Sequence, residues 1–169
     1  MTTLLLLRHA NSCSVQGNIP DIDRPLNDRG RTAAHKLAQY MFKEGLTADF
    51  ALCSPALRAR ETLDHLSVAF PKKPKIETNS AIYGADVSTL LDCLRSIAKD
   101  IERALLIGHN PSIGDLASTL AGDIESKEIS SIGNKIPTGA LAVFEFNNFW
   151  LELDPTCATF VRFVTPSGL

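Results

Sequence analysis

The chain has 169 residues, 44% of them apolar and 21% charged, with a formal net charge of −2 and a pI near 6.1. That length and balance suit one globular domain over residues 1–169, and the slightly acidic charge leaves no electrostatic footprint for nucleic acid. No apolar run approaches the roughly 20 residues of a membrane helix, so no membrane contact is expected.

Thr3 to Leu7 is a continuous apolar run of strand length, which predicts a strand covered on both faces. The run is too short for a secretion signal, and Arg8 ends it. From Asn27, an N-cap, the residues Ala34, Leu37, Ala38 and Met41 recur at helical spacing until Gly45. Phe50 to Cys53 predicts a second strand. Ser54-Pro55 then signals a helix start, Ser54 supplying the cap oxygen, with Ala59, Leu63 and Leu66 on the buried side.

Lys72-Lys73-Pro74-Lys75 reads as a solvated turn before a third strand, Lys75 to Glu77. Asp86 caps a helix carrying Leu90, Leu91, Leu94 and Ile97. Ala104 to Ile107 is a fourth strand, and Asn110-Pro111 opens a helix with Ile113, Leu116, Ala117 and Leu120 inside. The polar stretch beyond Gly122 lacks periodicity and predicts a surface excursion. Ala140 to Phe146 and Trp150 to Leu153 flank Asn147-Asn148, which predicts a tight hairpin, and Ala158 to Val164 extends the same sheet.

Repeated β-α units predict an α/β domain: a three-layer α/β/α sandwich on a mostly parallel sheet with an antiparallel edge. The four cysteines, Cys13, Cys53, Cys93 and Cys157, are irregularly spaced without a CxxC pair. Reduced thiols and a cytoplasmic location are expected.

In such sheets ligands bind beyond the carboxyl ends of the strands. Arg8-His9, the start of the Ser54 helix and Gly108-His109 all fall there. Two guanidiniums, Arg8 and Arg58, and two imidazoles, His9 and His109, thus converge on one rim. Arginine's planar fork matches phosphate oxygens, and the helix starts after Ser54 and Asn110 add N–H groups and partial positive charge. The predicted ligand is a phosphoryl group. His9, kept neutral by neighbouring positive charge, is the candidate nucleophile. Arg8, Arg58 and His109 would stabilise the equatorial oxygens.

The segments Leu-Leu-Leu-Arg8-His9-Ala10, Ser54-Pro55-Ala56-Leu57-Arg58-Ala59-Arg60-Glu61-Thr62 and Gly108-His109-Asn110-Pro111 together resemble the histidine phosphatase superfamily, with its phosphoglycerate-mutase-like fold. The similarity spans most of the chain, including Asp23 to Gly30, and is strongest to the small SixA-like branch of phosphohistidine phosphatases. The resemblance implies a phosphohistidine intermediate on His9, a phosphate pocket of Arg8, Arg58 and His109, and no metal or organic cofactor. It implies as partner a protein phosphorylated on histidine or a small phosphorylated metabolite.

One departure matters. Members that act on alkyl phosphates commonly carry an acidic residue four positions before a Tyr-Gly glycine, where this chain has Ser80. Glu77 and Asp86 flank the position as substitutes, although Asp86 also reads as a helix cap and Glu77 as strand-end charge. An alkoxide needs a positioned acid to leave, typically worth about 10²–10⁴-fold; a protonated imidazole does not. Phosphohistidine is therefore the preferred substrate. A small-molecule phosphatase or mutase using Asp86 or Glu77, with a lid from Ser12 to Asp23, is the alternative enzyme. A catalytically silent phosphate-binding adaptor is the non-enzymatic one.

Thr62 shares the helix face of Arg58, as a support for it or as a surface threonine. Asn11 and Ser12 lie near enough to touch phosphate or to serve as loop polarity. His35 and His65 read as structural or solvated, and the four histidines have no metal-ligand spacing.

Overall fold

A computed structural model describes residues 1–14, 17–122 and 135–169. The elements, in chain order, are β1 (Thr2–Arg8), α1 (Asp28–Lys43), β2 (Phe50–Cys53), α2 (Leu57–Leu66), β3 (Lys75–Thr78), α3 (Val87–Arg95), β4 (Arg103–Gly108), α4 (Ser112–Ala121), β5 (Leu141–Phe146) and β6 (Thr159–Val164). The strands form one six-stranded sheet in the order β3-β2-β4-β1-β5-β6. The first four strands in that order are mutually parallel; β5 is antiparallel to both β1 and β6.

The leucine run of β1 sits at the centre of this sheet, and its side chains alternate between two cores. Leu4 and Leu6 pack with Leu52, Leu106 and Phe144 beneath α3 and α4. Leu5 and Leu7 pack with Ala51, Leu105 and Val143 beneath α1 and α2. Both faces of the strand are covered along Leu4 to Leu7, so each of these four positions must be apolar. The layers follow from crossover handedness. The path β1-α1-β2-α2-β3 moves outward along one face, and β3-α3-β4 returns along the other to fill the gap left between β1 and β2.

Two caps form as the sequence predicts. Asn27 accepts from the Gly30 N–H at 2.8 Å, and Asp86 accepts from the Thr89 N–H at 2.8 Å. Two others do not. Helix α2 starts at Leu57 with Ala56 at its cap position, and Ser54 is committed elsewhere. Helix α4 has Pro111 at its cap position; the Asn110 side chain instead donates to the Ile136 carbonyl at 3.0 Å. Asn110 turns to a tertiary partner, and Ser54 takes one in addition to the Ala56 N–H.

The predicted Asn147-Asn148 hairpin is also corrected. Trp150–Glu152 is a short 3-10 turn, because the buried indole packs edge-on against Phe146 and donates to the Ile101 carbonyl at 2.7 Å. The partner of β5 is β6, reached through a longer connection. The surface excursion expected beyond Gly122 falls on 123–134, outside the described residues. Among the described residues no helix is long and apolar enough to cross a membrane.

The loop after β1 is stapled to the start of α1. The Asn27 N–H donates to the Asn11 carbonyl at 3.1 Å, and Asn27 Nδ2 donates to Asn11 Oδ1 at 2.6 Å. Gly30 lies against this carbonyl so closely that a Cβ would stand 1.9 Å from the Asn11 oxygen. Gly30→Ala must force the loop and helix apart. A loss of about 3 kcal/mol or more is expected, at or beyond the upper end of overpacking costs. The urea midpoint and the turnover rate should fall together; an unchanged midpoint would show that α1 can slide away freely.

Candidate active site

The strand order places three carboxyl ends side by side. Arg8 of β1 is in register with Gly108 of β4, and Ile107 of β4 with Cys53 of β2. The residues that follow, His9, Ser54 and His109, therefore emerge on one rim although they lie far apart in the chain. The His9 backbone is held from both sides: its N–H donates to the Gly108 carbonyl at 3.1 Å, and its carbonyl accepts from the Gly139 N–H at 3.0 Å.

His9 is 6% exposed, with its ring Nδ1 2.7 Å from the Ala10 carbonyl. A carbonyl only accepts, so Nδ1 carries the ring proton and Nε2 keeps its lone pair. That lone pair accepts from Arg58 Nε at 3.3 Å. The Ala10 N–H, in turn, donates to Thr62 Oγ1 at 3.0 Å, and Thr62 donates to the Arg58 carbonyl at 2.6 Å. Thr62 is fully buried and links the nucleophile candidate's loop to α2; the surface alternative for it is corrected.

Arg58 uses two edges of its guanidinium. Nε and Nη2 face His9 Nε2 and, at 3.4 Å, His109 Nδ1. Nη1 and Nη2 donate to the Asp21 carbonyl at 2.6 Å and to Asp21 Oδ2 at 2.9 Å. Asp21 also accepts from Tyr83 Oη at 2.6 Å and pairs with Arg24 at 2.8 Å. The Tyr83 ring stands edge-on to His109 at 5.5 Å, and the His9 and His109 rings are 4.9 Å apart. Arg8 donates through Nη1 to the Ile136 carbonyl at 2.7 Å, while its buried Nε has no partner among the described residues.

Burial sets the protonation states, with neighbouring charge second. His9 is pushed down to about 3, mainly by desolvation and further by His109, Arg58 and Arg8; its bond to Ala10 opposes this. His109 falls to about 4, again by desolvation first and Arg58 next. The sequence assigns this effect to neighbouring charge, whereas burial leads. Burial also lowers Arg8. Asp21 is held down to about 2 by its Tyr83 hydrogen bond first, then by Arg58 and Arg24. It is a carboxylate at neutral pH.

These shifts predict a pH dependence of stability. Each folded-state histidine value lies below the unfolded one near 6.5, so the unfolded chain binds more protons once the pH drops under about 6.5. Stability is complete above that pH and falls as pH descends toward about 4 and about 3. At pH 5 the loss is on the order of 2 kcal/mol per histidine. The urea midpoint should be lower at pH 5 than at pH 7.5, and His9→Asn should remove about half of that difference. A difference of wild-type size in the variant would mean that His9 is not held neutral.

Of the two acids expected as proton donors, neither touches the cluster. Asp86 is exposed and its Oδ1 caps α3, which lowers its pKa. Glu77 is exposed on β3, and no bond ties it to the four residues. Asn11 is spent on Asn27, and Ser12 pairs with Leu26. Asp21 and Tyr83 are the residues sequence reasoning misses. Their bonds span 37 and 62 positions, and no local pattern encodes them. A hollow of about 610 Å³ opens beside Asn11, between α1 and the 137–138 and 166–167 segments.

Comparison with known proteins supplies the family. Residues 4–81 match the histidine phosphatase superfamily (branch 1). A Mycobacterium tuberculosis protein, Rv1276c, itself uncharacterised, is 32% identical over 162 residues, 95% of this chain and 99% of its own. The chain belongs to the histidine phosphatase superfamily. That membership supports a phosphatase. Among solved structures, a Nakamurella multipartitia protein superposes with a TM-score of 0.85 at 25% identity, covering 98% of this chain and 96% of that one. An Agrobacterium tumefaciens protein does so at 0.84 and 25%, covering 98% of each. Both carry the name phosphohistidine phosphatase SixA, as a provisional assignment. This phosphatase thus has the phosphoglycerate-mutase-like α/β fold and is SixA-like within the superfamily.

Proposed function

We propose that this phosphatase removes phosphate from phosphohistidine on a protein, through a covalent phosphohistidine on its own His9. The observation that carries the reading is the protonation pattern. His9 Nε2 is an unprotonated nitrogen that accepts from Arg58 with the His109 ring beside it, and Asp21, the carboxylate that meets this cluster among the described residues, is ionised and held by three donors. The site has a nucleophile and anion donors but, among the described residues, no carboxylic acid in contact with them.

In the first step His9 Nε2 forms a bond to phosphorus while the P–N bond of the substrate breaks. The substrate's ring leaves as neutral imidazole, because its distal nitrogen already bears a proton. In the second step water attacks phosphorus, the Nε2–P bond breaks, and the water proton ends on inorganic phosphate. Arg8, Arg58 and His109 hold the equatorial oxygens in both steps. The neighbours named SixA agree with this substrate, and the expected setting is the cytoplasm.

The lone pair on His9 weighs against a silent phosphate-binding adaptor, which needs donors only. Parallel turnover of a phosphohistidine peptide, a sugar phosphate and a nucleotide monophosphate tests the specificity. We expect the peptide to be favoured by at least the roughly 10²-fold that a missing acid costs an alkoxide. Equal kcat/KM values would overturn the substrate assignment in favour of a small-molecule phosphatase.

A further inference from the structure

Ser54, read from sequence as a helix cap, has a different task. It is fully buried at the end of β2, its Oγ 2.7 Å from His109 Nε2, and it accepts from the Ala56 N–H at 3.3 Å. On the opposite side of the ring, His109 Nδ1 lies 3.4 Å from Arg58 Nη2. A neutral imidazole carries one proton, so the two nitrogens cannot both donate.

Arginine only donates and would favour a bare Nδ1; a serine hydroxyl either donates or accepts. Two observations decide between them. The Ser54 contact has the length of a full hydrogen bond, whereas the Arg58 contact is at the outer limit. Moreover, Nε2 is the one acceptor the Ser54 hydroxyl meets among the described residues. Placing the ring proton on Nε2 would strand a fully buried O–H, and an unpaired buried donor costs more than a long contact contributes.

We infer that Ser54 is a positioning residue: it donates its hydroxyl proton to Nε2 and so holds His109 in the tautomer whose Nδ1–H points at the phosphate pocket. Two donors, Nδ1–H and the Arg58 Nη2–H, then face one another across 3.4 Å. An oxyanion between them satisfies both. His109 thereby donates to a phosphoryl oxygen while remaining neutral, which suits a ring whose burial disfavours the cation. The inference rests on the proposed phosphoryl site and adds what keeps that site's donor pointed inward.

Long-range proton–nitrogen NMR of the imidazoles reads the tautomer directly, with His109→Asn used to assign the signals. Wild type is expected to show Nδ1 protonated, and inorganic phosphate should shift that signal. Ser54→Ala should move the proton to Nε2 and lower kcat/KM for an aryl phosphate by on the order of 10²-fold, the cost of one lost oxyanion donor. Ser54→Thr, which keeps the hydroxyl, should restore the tautomer. Nε2–H in wild type overturns the inference, even if neither variant folds. So does Ser54→Ala with an unchanged spectrum, whatever its rate. The functional reading fails separately, by full activity in His9→Ala with the Nδ1–H tautomer still in place.

Discussion

His9→Ala is expected to abolish turnover, with kcat for an aryl phosphate falling by roughly 10⁴-fold or more, the scale seen when a covalent nucleophile is removed. The loss should be chemical rather than structural. The backbone at this position is fixed by Gly108 and Gly139, and among the described residues the ring bonds main chain only at its own neighbour, Ala10. The variant should therefore bind inorganic phosphate through Arg8, Arg58 and His109. It should form no acid-labile phosphoprotein when a substrate is added and quenched rapidly, whereas wild type should. Residual turnover above about one part in a hundred would point to direct attack by water and remove His9 from the covalent role.

The sequence carries the site better than it carries the surroundings. Arg8, His9, Arg58 and His109 are legible because each stands at the end of a strand or the start of a helix, and such boundaries leave local marks. Their common rim is legible too, since ligands bind beyond the carboxyl ends of the strands; the strand order that makes them neighbours is not. It depends on β4 inserting between β1 and β2, a position that crossover handedness, which fixes only the face α3 covers, does not dictate. The caps divide in the same way. Asn27 and Asp86 find their partners three residues away, within the reach of a pattern. Ser54 and Asn110 have the same signature, yet Asn110 turns to the Ile136 carbonyl, 26 residues off, and Ser54 adds His109, 55 residues off, to its local bond from the Ala56 N–H. Trp150 reads as a strand residue because apolar residues near a turn suit a strand equally well. Its indole N–H needs an acceptor, and only the fold brings Ile101 there.

Arg58→Lys should cost nearly as much as the loss of a full oxyanion donor, with kcat/KM falling by roughly 10²–10³-fold although the charge is kept. The guanidinium is planar and uses two edges at once, one toward His9 and His109 and the other toward Asp21. An ammonium is a single point with three donors and cannot span both edges. If the introduced ammonium stays with Asp21, position 58 offers the phosphoryl oxygen no donor; if it turns inward, Asp21 loses one of the three donors that hold it. Either way kcat falls, and in the second case KM rises as well. Arg58→Ala separates charge from shape, since removing the cation should also let the His9 and His109 pKa values rise. Its acid limb in the pH–rate profile should move upward, but only in part, because burial rather than Arg58 is the larger cause. A lysine variant within about threefold of wild type, far short of the loss of one donor, would mean that positive charge alone binds the phosphoryl group and that the two-edged geometry has no catalytic consequence.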